Sequence, residues 1–247
     1  QFNILVCGIG GTGVITIGAL LGRAAHLEGK GVSVLDMTGM SQKNGAVTCH
    51  VRIFDAPGDT WAQRIPSAHA DLLLGCDMLT AAAPDAVERV GRDRTVVTLN
   101  GHEQHPGYAA QLSDWQFPRD EVEQLLADAA GREVDVIDAN RLATQHFGDE
   151  MLANIVMLGY AWQRGRVPLS EASLLRAIEL NGVAVEKNRA AFALGRRAAA
   201  AETGDRQPRQ QAIVWARPQS LDASISRHGA FLAAYQHSRY AARYRDF

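Results

Sequence analysis

The sequence predicts a three-layer α/β/α domain built on a mixed, mostly parallel sheet. Three observations predict it. Short β-branched and apolar runs alternate with helical segments as far as residue 140, a glycine cluster joins the first strand to the first helix, and beyond residue 140 only helical periodicity remains. Strands come first and helices accumulate last, so the late helices are expected to cover the sheet.

The first strand is Phe2 to Cys7, followed by Gly8-Ile9-Gly10-Gly11-Thr12-Gly13 and an apolar helix from Val14 to Ala25. This strand, tight turn and helix read as a Rossmann-like opening unit. Gly8 is expected to let the chain reverse, Gly10 and Gly11 to let a phosphate or a neighbouring backbone come close, and Gly13 to let helix and strand pack. The N–H groups of the first helical turn then favour an anion. A purely structural turn is the alternative.

Gly29-Lys30-Gly31 stops the helix, and a second strand runs from Val32 to Leu35 and closes on Asp36, which is either a ribose ligand or a cap on the following turn. Residues 37–45 are polar between Gly39 and Gly45 and read as a second glycine loop. Ala46 to Phe54 alternates with period two at Val47, Cys49, Val51 and Ile53. So short a link predicts that this third strand runs antiparallel. His50 falls out of phase with the apolar set and is read as half-exposed. Asp55 to Pro66 is a surface excursion.

Ala70 to Leu74 and Arg94 to Asn100 are apolar strands flanking a helical segment, Met78 to Val90, which Pro84 divides in two. Residues 101–119 form a long irregular connection. Asp120 to Ala130 is a helix with Asp120 as its N-cap, and Val134 to Ile137 is the last strand. Arg141 to Phe147, Met151 to Arg164, Ser170 to Asn181 and Val183 to Ala201 complete a domain over residues 1–201. Residues 202–220 read as a linker. Residues 221–247 read as a helical extension, the start of a further region, and both chain ends suggest a piece of a longer polypeptide.

Over its 247 residues the chain is 47% hydrophobic and 21% charged, with a net charge of −2. That balance argues against nucleic acid, since no basic stripe is available to neutralise phosphates. No run has the length of a membrane span, and a cytoplasmic protein is expected. Cys7, Cys49 and Cys76 lack the spacing of a cluster or zinc site and read as buried thiols. No G-x-S-x-G elbow is present. His102 and His105, sharing a loop with Glu103, offer a metal site as the alternative to a solvated loop. Both glycine loops follow a strand at the same end of the sheet and are expected to lie side by side, presenting Thr12, Ser41, Gln42, Lys43 and Asn44 to a phosphate or to another chain's backbone. A base or nucleophile is missing, so chemistry needs a cofactor or partner.

The ordered motifs GIGGTGV at 8–14 and GMSQKNGAV at 39–47, continuing into HVRI at 50–53, resemble the gamma domain of 2-oxoacid:ferredoxin oxidoreductases over residues 2–200. Lys43 and Asn44 stand where that family usually has Arg and Gly. The late segment NGVAVEKNRAAFALGR at 181–196 and the helix from Leu221 to Arg245 resemble the tail of fused indolepyruvate ferredoxin oxidoreductases. The resemblance implies oxidative decarboxylation of a 2-oxoacid to an acyl-coenzyme A. Thiamine diphosphate, magnesium and [4Fe-4S] clusters would be held by partner domains or subunits, and electrons would pass to ferredoxin. This chain would assemble the site, inactive alone, in a dimer or larger complex. By that resemblance coenzyme A can contact Gly8, Gly10, Gly11, Thr12, Gly13, Gly39, Met40, Ser41, Gln42, Asn44 and Gly45. A stand-alone NAD(P)- or FAD-dependent oxidoreductase and a non-catalytic interaction module are the competing readings.

Overall fold

In the computed structural model, residues 1–39, 45–59, 62–107, 109, 114–202 and 225 are described. Two compact units divide the chain, Gln1–Arg206 and Gln207–Phe247. Of the second unit only Ile225, helical, is described; apart from it and from Glu202, which is helical, the linker at 202–220 and the extension at 221–247 lie outside the described residues.

The first unit is a six-stranded sheet between two helical layers. Its strands are β1 (Phe2–Ile9), β2 (Gly31–Thr38), β3 (Ala46–Phe54), β4 (Leu72–Gly75), β5 (Val96–Asn100) and β6 (Asp135–Ile137), in spatial order β2-β3-β1-β4-β5-β6. Only β3 runs against the others: it pairs antiparallel with β1 on one side and with β2 on the other, while β1, β4, β5 and β6 pair in parallel. The expected reversal of the third strand is therefore present. The opening β-α-β unit, however, is split, because β3 occupies the place beside β1 that the second strand holds in a dinucleotide-binding unit.

Alternation along β1 decides the layers. Ile4 and Val6 point into a core shared with helices α1 (Val14–Leu27), α5 (Ala139–Phe147), α6 (Ala153–Gln163), α7 (Glu171–Asn181) and α8 (Val185–Glu202). Leu5 and Cys7 point the other way, toward α2 (Met78–Ala81), α3 (Pro84–Val87) and α4 (Arg119–Ala130). Helix α6 is buried from Ala153 to Ala161. Its Gly159 and α8's Gly195 each face the other helix's main chain, where a Cβ would collide with the carbonyls of Phe192 and Val156. Backbones in contact leave no room for side chains between them.

Several boundaries differ from the sequence reading for local reasons. Helix α4 begins at Arg119 with Pro118 as its N-cap, so Asp120 lies in the first turn, where its charge still favours the helix dipole. Strand β2 continues through Met37 and Thr38 because β3 pairs with it throughout. His50 is fully buried rather than half-exposed. An interior strand has both faces covered, and the Ile65 N–H donates to His50 Nδ1 at 3.2 Å. Burial, helped by the Arg64 and Arg89 charges, pushes its pKa down to about 4, so the ring is neutral.

Glu28, just past the end of α1, locks that end onto the start of α7. Its carboxylate accepts from Lys30 Nζ at 2.7 Å, the Ser170 N–H at 2.7 Å and the Ser173 hydroxyl at 2.6 Å. Burial raises its pKa, but these donors outweigh burial and hold it at about 2. Since the folded value lies below the ordinary one, the stabilisation is complete above about pH 4.5 and is lost as pH falls toward 2. Glu28→Gln should reduce unfolding free energy at pH 7 by roughly 1–3 kcal/mol and flatten the acid limb of stability against pH. Denaturant unfolding from pH 7 to pH 3 checks this; parallel curves for the two proteins would refute it. Gly159→Val should cost at least about 1–3 kcal/mol by overpacking, read in the same titration.

Candidate functional site

Helix α1 leaves β1 toward one face of the sheet, and α2 leaves β4 toward the other. Between two such strands the carboxyl end of a sheet opens into a crevice. Here it has a volume of about 230 Å³. Thr12, from the turn after β1, lines one wall, and Cys76 and Asp77, after β4, line the other. His102 and Glu103 after β5, Asn140 at the start of α5, Met151 in the turn before α6 and Asn154 in its first turn also line it. Sequence reasoning placed ligands at this end but singled out neither Asp77 nor the asparagines. For Asp77 and Asn140 the signal was a polar residue shortly after an apolar strand; Asn154, inside α6, gave none.

Within the glycine turn the roles are redistributed. Gly8 ends no strand: it lies inside β1, and a Cβ there would strike Val14, so Gly8 rather than Gly13 lets α1 pack on the sheet. Gly13 is the N-cap of α1, at φ 94°, and offers no side chain to the first-turn N–H groups. Gly11, at φ 90°, borders open space. Both backbones are left-handed, a region that costs an L-residue about 1–2 kcal/mol. Gly10 donates its N–H to the Gly45 carbonyl at 2.8 Å, and Gly39 donates to Ala46 at 3.2 Å. These contacts bring the ends of the second glycine loop beside the first, as the sequence led us to expect. Met40, Ser41, Gln42, Lys43 and Asn44 lie outside the described residues.

Asp36 is not a ribose ligand on the turn. It pairs with Cys49 of β3, which in turn pairs with Val6 of β1, so two strand spacings, about 10 Å, separate it from β1.

Two buried asparagines fix the crevice. Asn154 Nδ2 donates to the Thr12 carbonyl at 2.7 Å, while the Thr12 hydroxyl donates to the Ile9 carbonyl at 2.8 Å. Asn100 Nδ2 donates to the Cys76 carbonyl at 3.1 Å and to Asn140 Oδ1 at 2.8 Å, and its Oδ1 accepts the Ala139 N–H at 3.1 Å. One side chain thus ties the ends of β4, β5 and β6.

Asp77 caps α2 by accepting the Thr80 N–H at 2.8 Å. It is 4% exposed, and its Oδ2 is buried with no hydrogen-bond partner. Burial pushes its pKa up, opposed by the Thr80 and Leu79 amides and the His102 charge. Burial also pushes up the thiols of Cys7, Cys49 and Cys76, the last to about 12, so all three remain protonated at neutral pH. Among the described residues, no three His, Cys, Asp or Glu side chains converge to hold a metal ion, His102 and His105 included. None of the described helices is long and apolar enough to cross a membrane.

Replacing Asn154 by Ala should free the turn. We expect a loss of about 1–3 kcal/mol and faster hydrogen exchange at Gly10 to Gly13 than at the buried amides of β5. Unchanged exchange in the turn would show that other contacts hold it.

A family model described as pyruvate ferredoxin/flavodoxin oxidoreductase matches residues 3–198. The indolepyruvate oxidoreductase subunit IorB of Methanothermobacter thermautotrophicus is 31% identical over 181 residues, which is 73% of this chain and 88% of that protein. A keto/oxoacid ferredoxin oxidoreductase gamma subunit from Geobacter sulfurreducens superposes with a TM-score of 0.55 at 22% identity, covering 81% of this chain and 99% of that one. A 2-oxoglutarate:ferredoxin oxidoreductase from Magnetococcus marinus, solved with 2-oxoglutarate, coenzyme A and succinyl-CoA, gives a TM-score of 0.61 at 18% identity, covering 81% of this chain and 31% of that one. At such identities the structural likeness establishes the fold.

Proposed function

Because this chain belongs to the pyruvate ferredoxin/flavodoxin oxidoreductase family, we propose that it is the gamma-type component of an enzyme that oxidatively decarboxylates an indolepyruvate-type 2-oxoacid to an acyl-coenzyme A. Electrons would pass to ferredoxin. The relative named for indolepyruvate, at 31% identity over most of its length, supports the substrate.

What this chain contributes follows from its residues. On this reading thiamine diphosphate, magnesium and the iron–sulfur clusters would be held by partner components, as in the gamma-type arrangement that the sequence resembles. Coenzyme A brings an acceptor thiol and an anionic diphosphate. The observation that carries its assignment here is the open, left-handed glycine turn at Gly11 and Gly13, above a helix whose first-turn N–H groups have no side-chain cap. Donors without competing acceptors, at the positive end of a 14-residue helix, suit a diphosphate. The crevice beside the turn does not, since Asp77, Glu103 and Glu150 line it. The anion would therefore lie over the turn, and Asn154 would hold the turn in place to receive it.

Combined with its thiamine-binding partner, the chain should support reduction of ferredoxin or a viologen dye that depends on both indolepyruvate and coenzyme A. Neither component should do so alone. In the assembled enzyme Gly11→Asp, a residue that tolerates left-handed backbone but adds a negative charge to the open space, should raise KM for coenzyme A about tenfold, on the order of 1.4 kcal/mol, with kcat little changed. An unaltered KM would remove the turn from the coenzyme site, and faster turnover with pyruvate or 2-oxoglutarate would reassign the substrate.

A further inference from the structure

The crevice and the glycine turn share Thr12 but differ in electrostatic character. Three carboxylates line the crevice, and no Lys or Arg is among its lining residues. Glu103 is already answered by Arg119, at 2.8 Å, outside the lining. Asp77 has no Lys or Arg beside it, only the charge of His102: one oxygen caps α2, and the other is buried without a hydrogen-bond partner. A buried carboxylate with unused acceptor capacity is costly until a donor, best a cation, meets it.

We propose that this crevice is a socket for one basic side chain, arginine or lysine, presented by the partner component, with Asp77 as the carboxylate that anchors it. The inference rests on the reading of this chain as one component of a larger enzyme. Size supports it: about 230 Å³ falls below the roughly 300–1,000 Å³ of pockets that enclose whole small ligands, but suits a single long side chain. The chemistry of the walls supports it as well. Ile9, Ala153 and the 53% exposed Met151 offer an apolar wall for a methylene stem, while the charged head reaches the carboxylates. An anionic guest would be repelled. Capping of α2 explains only one oxygen of Asp77, and Asn caps helices as well as Asp does.

That last equivalence gives the test. Asp77→Asn keeps the cap and removes the charge. With the full chain and its partner component, assembly measured by isothermal titration calorimetry should weaken at least tenfold, with a shallower dependence on salt, whereas Asp128→Asn on the exposed end of α4 should leave it unchanged. In the wild-type chain, millimolar methylguanidinium should shift the amide NMR resonances of Thr12 and His102, and acetamide should not. If Asp77→Asn does not fold, the methylguanidinium and acetamide titrations of the wild type decide alone. Wild-type affinity in Asp77→Asn, or equal responses to the two probes, would overturn the socket while leaving the proposed function intact. Failure of the wild-type chain to assemble with any thiamine-binding partner would instead overturn the functional reading beneath it.

Discussion

Backbone contact between α6 and α8 constrains the rest of the molecule. Gly159 and Gly195 allow two helices to touch main chain to main chain, which draws α6 fully into the interior. A helix so enclosed must be apolar nearly all round, and from Ile155 to Ala161 its side chains meet that condition. Its one polar residue near the start, Asn154, is then held rigidly enough to fix Thr12 and with it the glycine turn. Packing thus sets the geometry of the turn at the carboxyl end of the sheet. A shift of α6 moves the turn.

What was legible in the sequence was what local pattern controls. The apolar run from Phe2 to Cys7 and the glycines after it marked the first strand and its turn, the short 37–45 link implied an antiparallel third strand, and Pro84 divided two short helices. Pattern could not reveal which strand sits beside which. Nothing local to Asp36 or His50 shows that β3 inserts between β1 and β2, yet that insertion removes Asp36 from the turn and buries His50 on both faces. Asp77, Asn100 and Asn154 were illegible for a related reason. Each looks like a cap or a polar strand end, and only the crossover of α1 and α2 to opposite faces gathers them. The glycines were recognised, although Gly8 and Gly13 exchanged tasks, since motif spacing does not say which Cβ would strike Val14 and which backbone is left-handed.

At the site, two neighbouring features sort charge. The uncapped start of α1 carries the positive end of a helix dipole, while Asp77 and its companions make the crevice beside it negative. An anionic cofactor and a cationic anchor from a partner can therefore approach the same edge of the sheet without competing. The three thiols are pushed upward by burial, and His50, the fully buried histidine of β3, is held neutral.

The other end of the sheet has the opposite design. There Asn3 donates to the His69 carbonyl at 2.8 Å and accepts from Arg52 Nε at 3.2 Å, while Asp71 accepts the Asn3 N–H at 2.8 Å and pairs with Arg94 at 2.9 Å. Arg52 is 8% exposed and lies 5.2 Å from the Phe54 ring centroid, and burial lowers its pKa. Asn3, Asp71 and Arg52 each have their partners named here, whereas Asp77 at the carboxyl end keeps an oxygen unused. Parallel strands direct both outcomes. Their amino ends are closed by the chain itself, and their carboxyl ends, where helices depart to opposite faces, leave a crevice open.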